Sequence, residues 1–376
     1  INLIHHLFAK DFYKHLCRGY TIINKEGKSF QDIMPYQGGA KRPIWFVFSG
    51  MGSQWPGMGS ELLKIPKFAN SIKKCQNVLS PLGIDIIDII TNLNKTVFDS
   101  ILNCFVGIAA IQIGLVDLLN ALGIKYDGLI GHSVGEVGCA YADGCFTAEQ
   151  TILSAYYRGR ASIETKMVKG MMAAVGLYSS FIILGLGYNQ LKDKLPPSIE
   201  IACHNSKDSC TISGPKEDVE NFMEELKSKG IFGKLVNVAN TAYHSKHVAP
   251  VAPKLLAYLR KVIPKPKERS KAWVSTSVAE EEWDTDLAKL SSPEYHTNNL
   301  LKPVRFEEAS VHIPSDAICI EIAPHGLLQA ILRRSLGQNC TNIPLTNRVQ
   351  DSGVVFFLKA LGRYEQYFIN TLVLQN

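Results

Sequence analysis

Gly131-His132-Ser133-Val134-Gly135 places a hydroxyl between two glycines, directly after the short apolar run Gly128-Leu129-Ile130. A strand that turns sharply into a helix through such a pentapeptide lifts the serine oxygen above the sheet edge, where it can attack a carbonyl and form an acyl ester. With Gly and Ser each near ~7% of residues, a bare GxSxG arises by chance in about one chain of this length in ten. The strand before it and the helical pattern after it (Val137, Ala140, Tyr141) give the motif its weight. The Val134 N–H, at the start of that helix, then faces the place where an oxyanion would form.

A second donor is expected from a loop at the end of a neighbouring strand. Ile44 to Phe48 is a continuous β-prone apolar run that empties into Gly50-Met51-Gly52-Ser53-Gln54-Trp55-Pro56-Gly57-Met58-Gly59, and the Met51 N–H is the candidate. The loop lacks lysine and no GK[ST] follows, which argues against a nucleotide-phosphate cradle.

Serine needs a base within hydrogen-bond reach. Ten histidines compete. His132 lies inside the turn but should point away from the nucleophile. His5, His6 and His15 precede the first strong strand, and His247, His296 and His312 lack a strand-end context. His244, in Ala242-Tyr243-His244-Ser245, occupies a loop suited to reach back over the turn, with a structural or surface role as its alternative.

The elements that must position these groups read as an α/β protein. Strand, glycine-rich loop and helix open a parallel sheet. An apolar stretch from Cys104 to Leu122, interrupted by Gln112, Asp117 and Asn120, reads as a buried helix and not a membrane span. Residues 170–241 follow the order βαββαβ: strand Met171–Leu177, helix near 188–194, strands Ile199–His204 and Cys210–Ser213, helix Pro215–Lys229, strand Lys234–Val238. That is the ferredoxin-like pattern. The apolar insert Phe181–Gly187 fits neither neighbour.

Composition narrows the classes. Apolar residues make up 46% and charged residues 20%, with no repeat and no low-complexity run. Nine cysteines without CxxC or CxxH pairs favour a reducing cytoplasm and argue against zinc. The net charge of +6 is mild, and its densest run, Arg260 to Lys271, lacks interleaved aromatic platforms, so no nucleic-acid partner is expected. That run is a solvated face or a contact for coenzyme A phosphates or an acidic carrier protein. The opening Ile1-Asn2 shows no signal-peptide pattern and reads as a piece of a longer chain.

Five ordered segments carry a resemblance: Phe48-Ser49-Gly50-Met51-Gly52-Ser53-Gln54-Trp55, Gly131-His132-Ser133-Val134-Gly135-Glu136, Tyr157-Arg158-Gly159, His204-Asn205-Ser206-Lys207-Asp208 and Tyr243-His244-Ser245. Together with Asn298-Asn299-Leu300 and Glu321-Ile322-Ala323-Pro324-His325, the chain from residue 41 to about 345 resembles the malonyl/acetyltransferase domain of an animal-type fatty acid synthase. The resemblance implies an α/β-hydrolase-like large domain (41–169 and 242–345) with a ferredoxin-like insert (170–241). Residues 1–40 would then be a linker beside a ketosynthase and 346–376 a C-terminal linker. It further implies Ser133 as nucleophile, His244 as base, and an oxyanion hole of Met51 and Val134. Arg158 would hold a malonyl carboxylate, with Met51, Tyr243 and Gln54 also at the substrate. The Asn299 main-chain oxygen would orient His244 through Nδ1, in place of a carboxylate such as Asp208 or Asp316. Substrates would be coenzyme A thioesters, with no resident cofactor, and the acceptor the phosphopantetheine of an acyl carrier protein. Two departures stand out: related malonyl-only enzymes often carry Gln at Met51, and the animal enzymes commonly carry Phe at Tyr243. The rival readings are a serine thioesterase or lipase, and a catalytically silent docking module.

Overall fold

The structure is a computed structural model and describes residues 16–23, 27, 29–35, 41–176, 186–231, 233–236, 238–349 and 352–367. A five-stranded parallel sheet forms its centre. The strands are β3 (Ile44–Phe48), β4 (Gly128–Gly131), β9 (Trp273–Val274), β11 (Ile318–Ile322) and β12 (Thr341–Pro344), in the order β9-β4-β3-β11-β12. Every residue of β3, β4 and β11 is buried, as in a parallel sheet covered by helices on both faces. Between β3 and β4 the chain forms α1 (Pro66–Leu79) and α2 (Ile101–Ala121). Helix α2 is long and apolar enough to cross a bilayer, yet 89% of its most apolar window is buried within the protein, so it acts as the core's central helix.

After β4 come α3 (Gly135–Ala142) and α4 (Ala148–Ile163). Thr147 caps α4 through a reciprocal box with Gln150, which fixes where its first turn begins. Gly159 presses α4 onto α2, since a Cβ there would stand 2.6 Å from the Leu102 Cα.

The small unit follows the expected order: β5 (Gly170–Val175), α5 (Tyr188–Leu191), β6 (Glu200–Ser206), β7 (Ser209–Pro215), α6 (Lys216–Ser228) and β8 (Gly233–Val236). Its own core gathers Val175, Leu191, Ile201, Ile212 and Phe222. The α/β-hydrolase-like body with a ferredoxin-like insert is therefore present as expected. One strand was not foreseen. The small sheet has the order β10-β6-β7-β5-β8, and β10 is Val304–Arg305, contributed in parallel by the returning large domain. Two residues bounded by Pro303 and Phe306 carry no periodicity from which a strand could be read. Residues 181–185 of the apolar insert lie outside the described residues; Leu186, at its end, packs into the small core.

At the N-terminal side, β1 (Cys17–Ile23) and β2 (Ser29–Pro35) pair as an antiparallel hairpin. The hairpin rests on α10 (Gly353–Glu365), where Gly362 admits the Tyr20 ring and Lys359 lies 3.8 Å from the centroid of Phe30. The segments read as an N-terminal adaptor and a C-terminal linker thus touch each other.

Candidate active site

The turn after β4 is tight for identifiable reasons. Ser133 has φ of 56°, a left-handed conformation that costs a non-glycine residue free energy. Gly135 lies so near the end of β3 that a Cβ would stand 2.2 Å from the Phe48 carbonyl oxygen. The serine side chain is thereby raised at the strand's C-terminal end, the side on which open parallel sheets carry their ligands.

His244 reaches it from the loop that returns from the small unit. Its Nε2 is 2.7 Å from Ser133 Oγ. The backbone of His244 is also left-handed, at φ of 58°, and its N–H donates to the Leu300 carbonyl at 3.2 Å. Both strained residues of the site are therefore the two that meet.

The expectation for the group that orients His244 requires correction. Nδ1 of His244 lies 2.9 Å from the Lys302 carbonyl oxygen, and not in that bond with Asn299. Lys302 is the residue capping α8 (Pro293–Leu301). The carbonyls of the last helical turn have no partner within the helix, so they are free to accept from outside it. Which of these free carbonyls meets Nδ1 depends on where the helix ends, and the motif around Asn298-Asn299-Leu300 does not specify that. The Asn299 carbonyl also favours the charged imidazole, but more weakly than the Lys302 carbonyl does. Neither Asp208 nor Asp316 meets the imidazole, whose two nitrogens face Ser133 Oγ and the Lys302 carbonyl; the Asp208 carboxylate accepts from Ser206 Oγ at 2.6 Å.

Burial, followed by the Arg158 charge, pushes the His244 imidazole down to about 3, while the Lys302 carbonyl opposes that shift. The ring is neutral at rest. With its Nδ1 proton donated to a carbonyl, Nε2 is the free acceptor facing the serine hydroxyl.

The two N–H groups expected to form an oxyanion hole are not taken up by the backbone around them. After the nucleophile, the N–H groups of Gly135, Glu136 and Val137 are taken by the carbonyls of His132, Ser133 and Val134. Among the described residues, no backbone acceptor takes the N–H of Val134 or of Met51. Met51 lines the cavity in front of Ser133. Gln54 does not line it: its Oε1 accepts from the Gly52 N–H at 2.8 Å and its amide faces Cys104 Sγ, so the side chain shapes the loop from within.

The cavity encloses about 190 Å³. Phe105, Met172, Val236, Val238 and Leu327 give it an apolar wall, with Ser133, His244 and Arg158 as its chemical groups. Arg158 projects from α4 and is 3% exposed. Its guanidinium lies 5.3 Å over the Phe105 ring, and Nη1 donates to Asn299 Oδ1 at 2.6 Å. Its Nε has no partner, and among the described residues no carboxylate pairs with it. Burial draws it from its usual range down to about 10, which leaves it cationic at neutral pH. Tyr243 is buried beside it, with a hydroxyl that makes no hydrogen bond of acceptable geometry, and burial pushes that phenol up to about 12. His132 Nε2–H donates to Asn205 Oδ1 at 2.9 Å, away from the serine oxygen although its ring borders the same cavity.

Sequence reasoning missed a buried network beneath the turn. Glu136, fully enclosed, accepts from the Thr276 N–H at 2.9 Å, the Thr276 hydroxyl at 2.8 Å, Trp273 Nε1 at 3.1 Å and the Tyr295 hydroxyl. Thr276 Oγ1 also lies 2.6 Å from the Gly131 carbonyl oxygen, so its single proton is shared between the two acceptors. The acid at the sixth position of the turn motif was the signal, and its partners lie about 140 residues away. No group of three His, Cys, Asp or Glu side chains able to hold a metal ion is gathered among the described residues.

Comparison with known proteins places the chain in a family. The profile of the acyl transferase domain family matches residues 45–370. A reducing polyketide synthase of Botryotinia fuckeliana is 30% identical over 95% of the chain, and one of Hypomyces subiculosus is 33% identical over 80%. The chain spans only 14% and 13% of those two proteins. Among solved structures, the malonyl coenzyme A-acyl carrier protein transacylase of Clostridium perfringens superposes with a TM-score of 0.68 at 23% identity, covering 86% of this chain and 98% of that one. An acyltransferase domain of the salinomycin polyketide synthase gives 0.76 at 20% identity, over 98% of this chain and 85% of that one. At those identities the structural matches speak for the fold alone. These two relatives are fungal reducing polyketide synthases, so the likeness reaches the polyketide and fatty acid synthase type without singling out the animal fatty acid synthases. The chain belongs to the acyl transferase domain family, of the type found in polyketide and fatty acid synthases.

Proposed function

We propose that this chain moves malonyl groups, and acetyl groups less selectively, from coenzyme A to the phosphopantetheine thiol of an acyl carrier protein through an ester on Ser133. The observation that carries the reading is Arg158: a buried guanidinium without a carboxylate partner among the described residues, lining the cavity that holds Ser133 and His244. A buried cation is costly unless paired, and the free carboxylate of a malonyl thioester supplies the missing anion.

The geometry supports the following steps. Ser133 Oγ attacks the thioester carbon while its proton passes to His244 Nε2 across 2.7 Å. The carbonyl oxygen becomes an oxyanion between the N–H groups of Met51 and Val134. As the C–S bond breaks, the proton on Nε2 goes to the departing sulfur, which leaves coenzyme A and an acyl-serine. The carrier's thiol then gives its proton to Nε2 and attacks the ester, and Ser133 Oγ leaves with that proton. The imidazolium formed in each half is stabilised by the Lys302 carbonyl and by the negative end of α8. No resident cofactor enters these steps; acyltransferase domains work on coenzyme A thioesters and carrier-borne phosphopantetheine.

A neutral carbonyl stabilises the imidazolium less than a buried carboxylate would, which suits an acyl-serine that must outlast water and await a thiol. This speaks against a hydrolase. We place the chain beside a ketosynthase in a multidomain synthase, a reading supported by relatives that are much longer proteins. Its setting is a reducing compartment such as the cytoplasm, on the ground that all nine cysteines are free thiols.

Intact-mass measurement after incubation with a panel of acyl-coenzyme A thioesters tests the proposal. Malonyl-coenzyme A should add one acyl mass at Ser133, and Ser133→Ala should abolish labelling and lower transfer by on the order of 10⁴–10⁶. Labelling at a cysteine, with full activity in Ser133→Ala, would overturn it.

A further inference from the structure

Arg158 is held on one side only. Its hydrogen bond to Asn299 Oδ1 is short, at 2.6 Å, while Nε remains without a partner. Guanidinium donates and never accepts, so the oxygen end of the Asn299 amide must face it. The amide is fixed at its other end as well. Asn299 Nδ2 donates to Ser277 Oγ at 2.8 Å, the Ser277 N–H donates to Ser275 Oγ at 3.1 Å, and Ser275 shares a hydrogen bond with the Tyr295 hydroxyl at 2.7 Å. Tyr295 in turn donates to Glu136, in the first turn of the helix that follows the nucleophile. A continuous chain of hydrogen bonds thus links the cation in the cavity to the nucleophile's own helix.

The chemical type at residue 299 matters as much as its position. A carboxylate there would form a buried ion pair with Arg158 and satisfy its charge from within the protein. An apolar side chain would leave the guanidinium free to rotate on its long stem. The amide does neither. We propose that Asn299 is the positioning residue for Arg158, a neutral acceptor that fixes the guanidinium and leaves its charge available to the carboxylate of a dicarboxylic acyl thioester. This inference rests on the malonyl reading above.

The test compares acylation of Ser133 by malonyl- and acetyl-coenzyme A in the wild-type chain and in Asn299→Asp, Asn299→Gln and Arg158→Ala, with thermal melting as the check on folding. Asn299→Asp preserves size and shape, and should lower the malonyl-to-acetyl ratio of kcat/KM by about 10–100-fold, the worth of a charge-assisted hydrogen bond. Asn299→Gln, which remains neutral, should retain much more of that ratio than the aspartate does, and carries the comparison with wild type if the aspartate variant does not fold. A ratio in Asn299→Asp within twofold of wild type, while Arg158→Ala collapses it, would overturn the role of Asn299 and leave the malonyl reading intact. Equal losses for both substrates in a folded Asn299→Asp chain would also overturn it, assigning the residue to His244 or to the fold. A wild-type chain with no malonyl preference, unaltered in Arg158→Ala, would remove the malonyl reading and this inference with it.

Discussion

Three side chains in one apolar cavity define the chemistry, and each is tuned by burial in a different way. His244 is kept neutral, at about 3, so that it can accept the serine proton. Arg158 stays charged despite burial, and its nearest fixed partner is an uncharged amide. Ser133 is held in a left-handed turn that raises its oxygen toward the histidine. The clamp should show itself in substrate choice. Arg158→Ala is expected to reduce malonyl transfer by about 2–5 kcal/mol of transition-state binding and acetyl transfer far less, because only malonyl would leave a carboxylate buried and unpaired. Steady-state kcat/KM for both thioesters checks this, and equal losses would make Arg158 a structural residue.

The elements place these groups by close approach. The serine turn touches the end of β3 so tightly that only glycine fits at Gly135. Gly135→Ala is therefore expected to destabilise the chain by at least about 1–3 kcal/mol and to displace Ser133 from His244. Urea unfolding and Ser133 acylation measured on the same preparation would show both effects, and a variant of wild-type stability would contradict the packing account. On the opposite side, the C-terminus of α8 presents the Leu300 and Lys302 carbonyls to the backbone and ring of His244, while Asn299 faces Arg158. One helix end thus sets both the base and the clamp. The expected role of Asn299 was misplaced because a helix terminus is settled by where its last turn unwinds, a property fixed by packing against the histidine loop.

Across the whole molecule, burial of uncharged histidines ties stability to pH. His296 lies enclosed beside Phe146 and Trp273, with Nε2 on Ser291 Oγ at 2.9 Å and Nδ1 unpartnered, and burial pushes it down to about 3. Its folded pKa lies below that of the unfolded chain, near ~6.5. The unfolded state therefore binds the proton first, and the contribution of His296 is present above pH ~6.5 and lost as pH falls toward 3. His296→Leu removes this titration. In the window between those values, its unfolding free energy should change with pH less steeply than that of wild type, by up to about 1.4 kcal/mol per pH unit. Urea midpoints at pH 7 and pH 4.5 for both chains check it, and identical slopes would show that His296 is accessible to protons in the folded state.

What the sequence determined by itself was local and periodic. The apolar runs Ile44–Phe48 and Gly128–Ile130, each followed by glycine-rich turns, announced a parallel sheet with its nucleophile at a strand end. The βαββαβ order from residue 170 announced the small unit, because alternation of period and turn residues survives in one dimension. Ser133 was legible from its glycines, and His244 and Arg158 only through the motifs around them, since neither residue type has a local pattern that distinguishes it from a surface neighbour. Tertiary structure decided the rest. The Lys302 carbonyl, the Asn299 bridge to Arg158, the two-residue strand Val304–Arg305 and the partners of Glu136 all depend on contacts between segments from about 60 to 160 residues apart. A main-chain carbonyl is the same group at every position of the sequence. Which one meets His244 is decided by where α8 ends against the returning loop, and only the folded chain brings those two ends together.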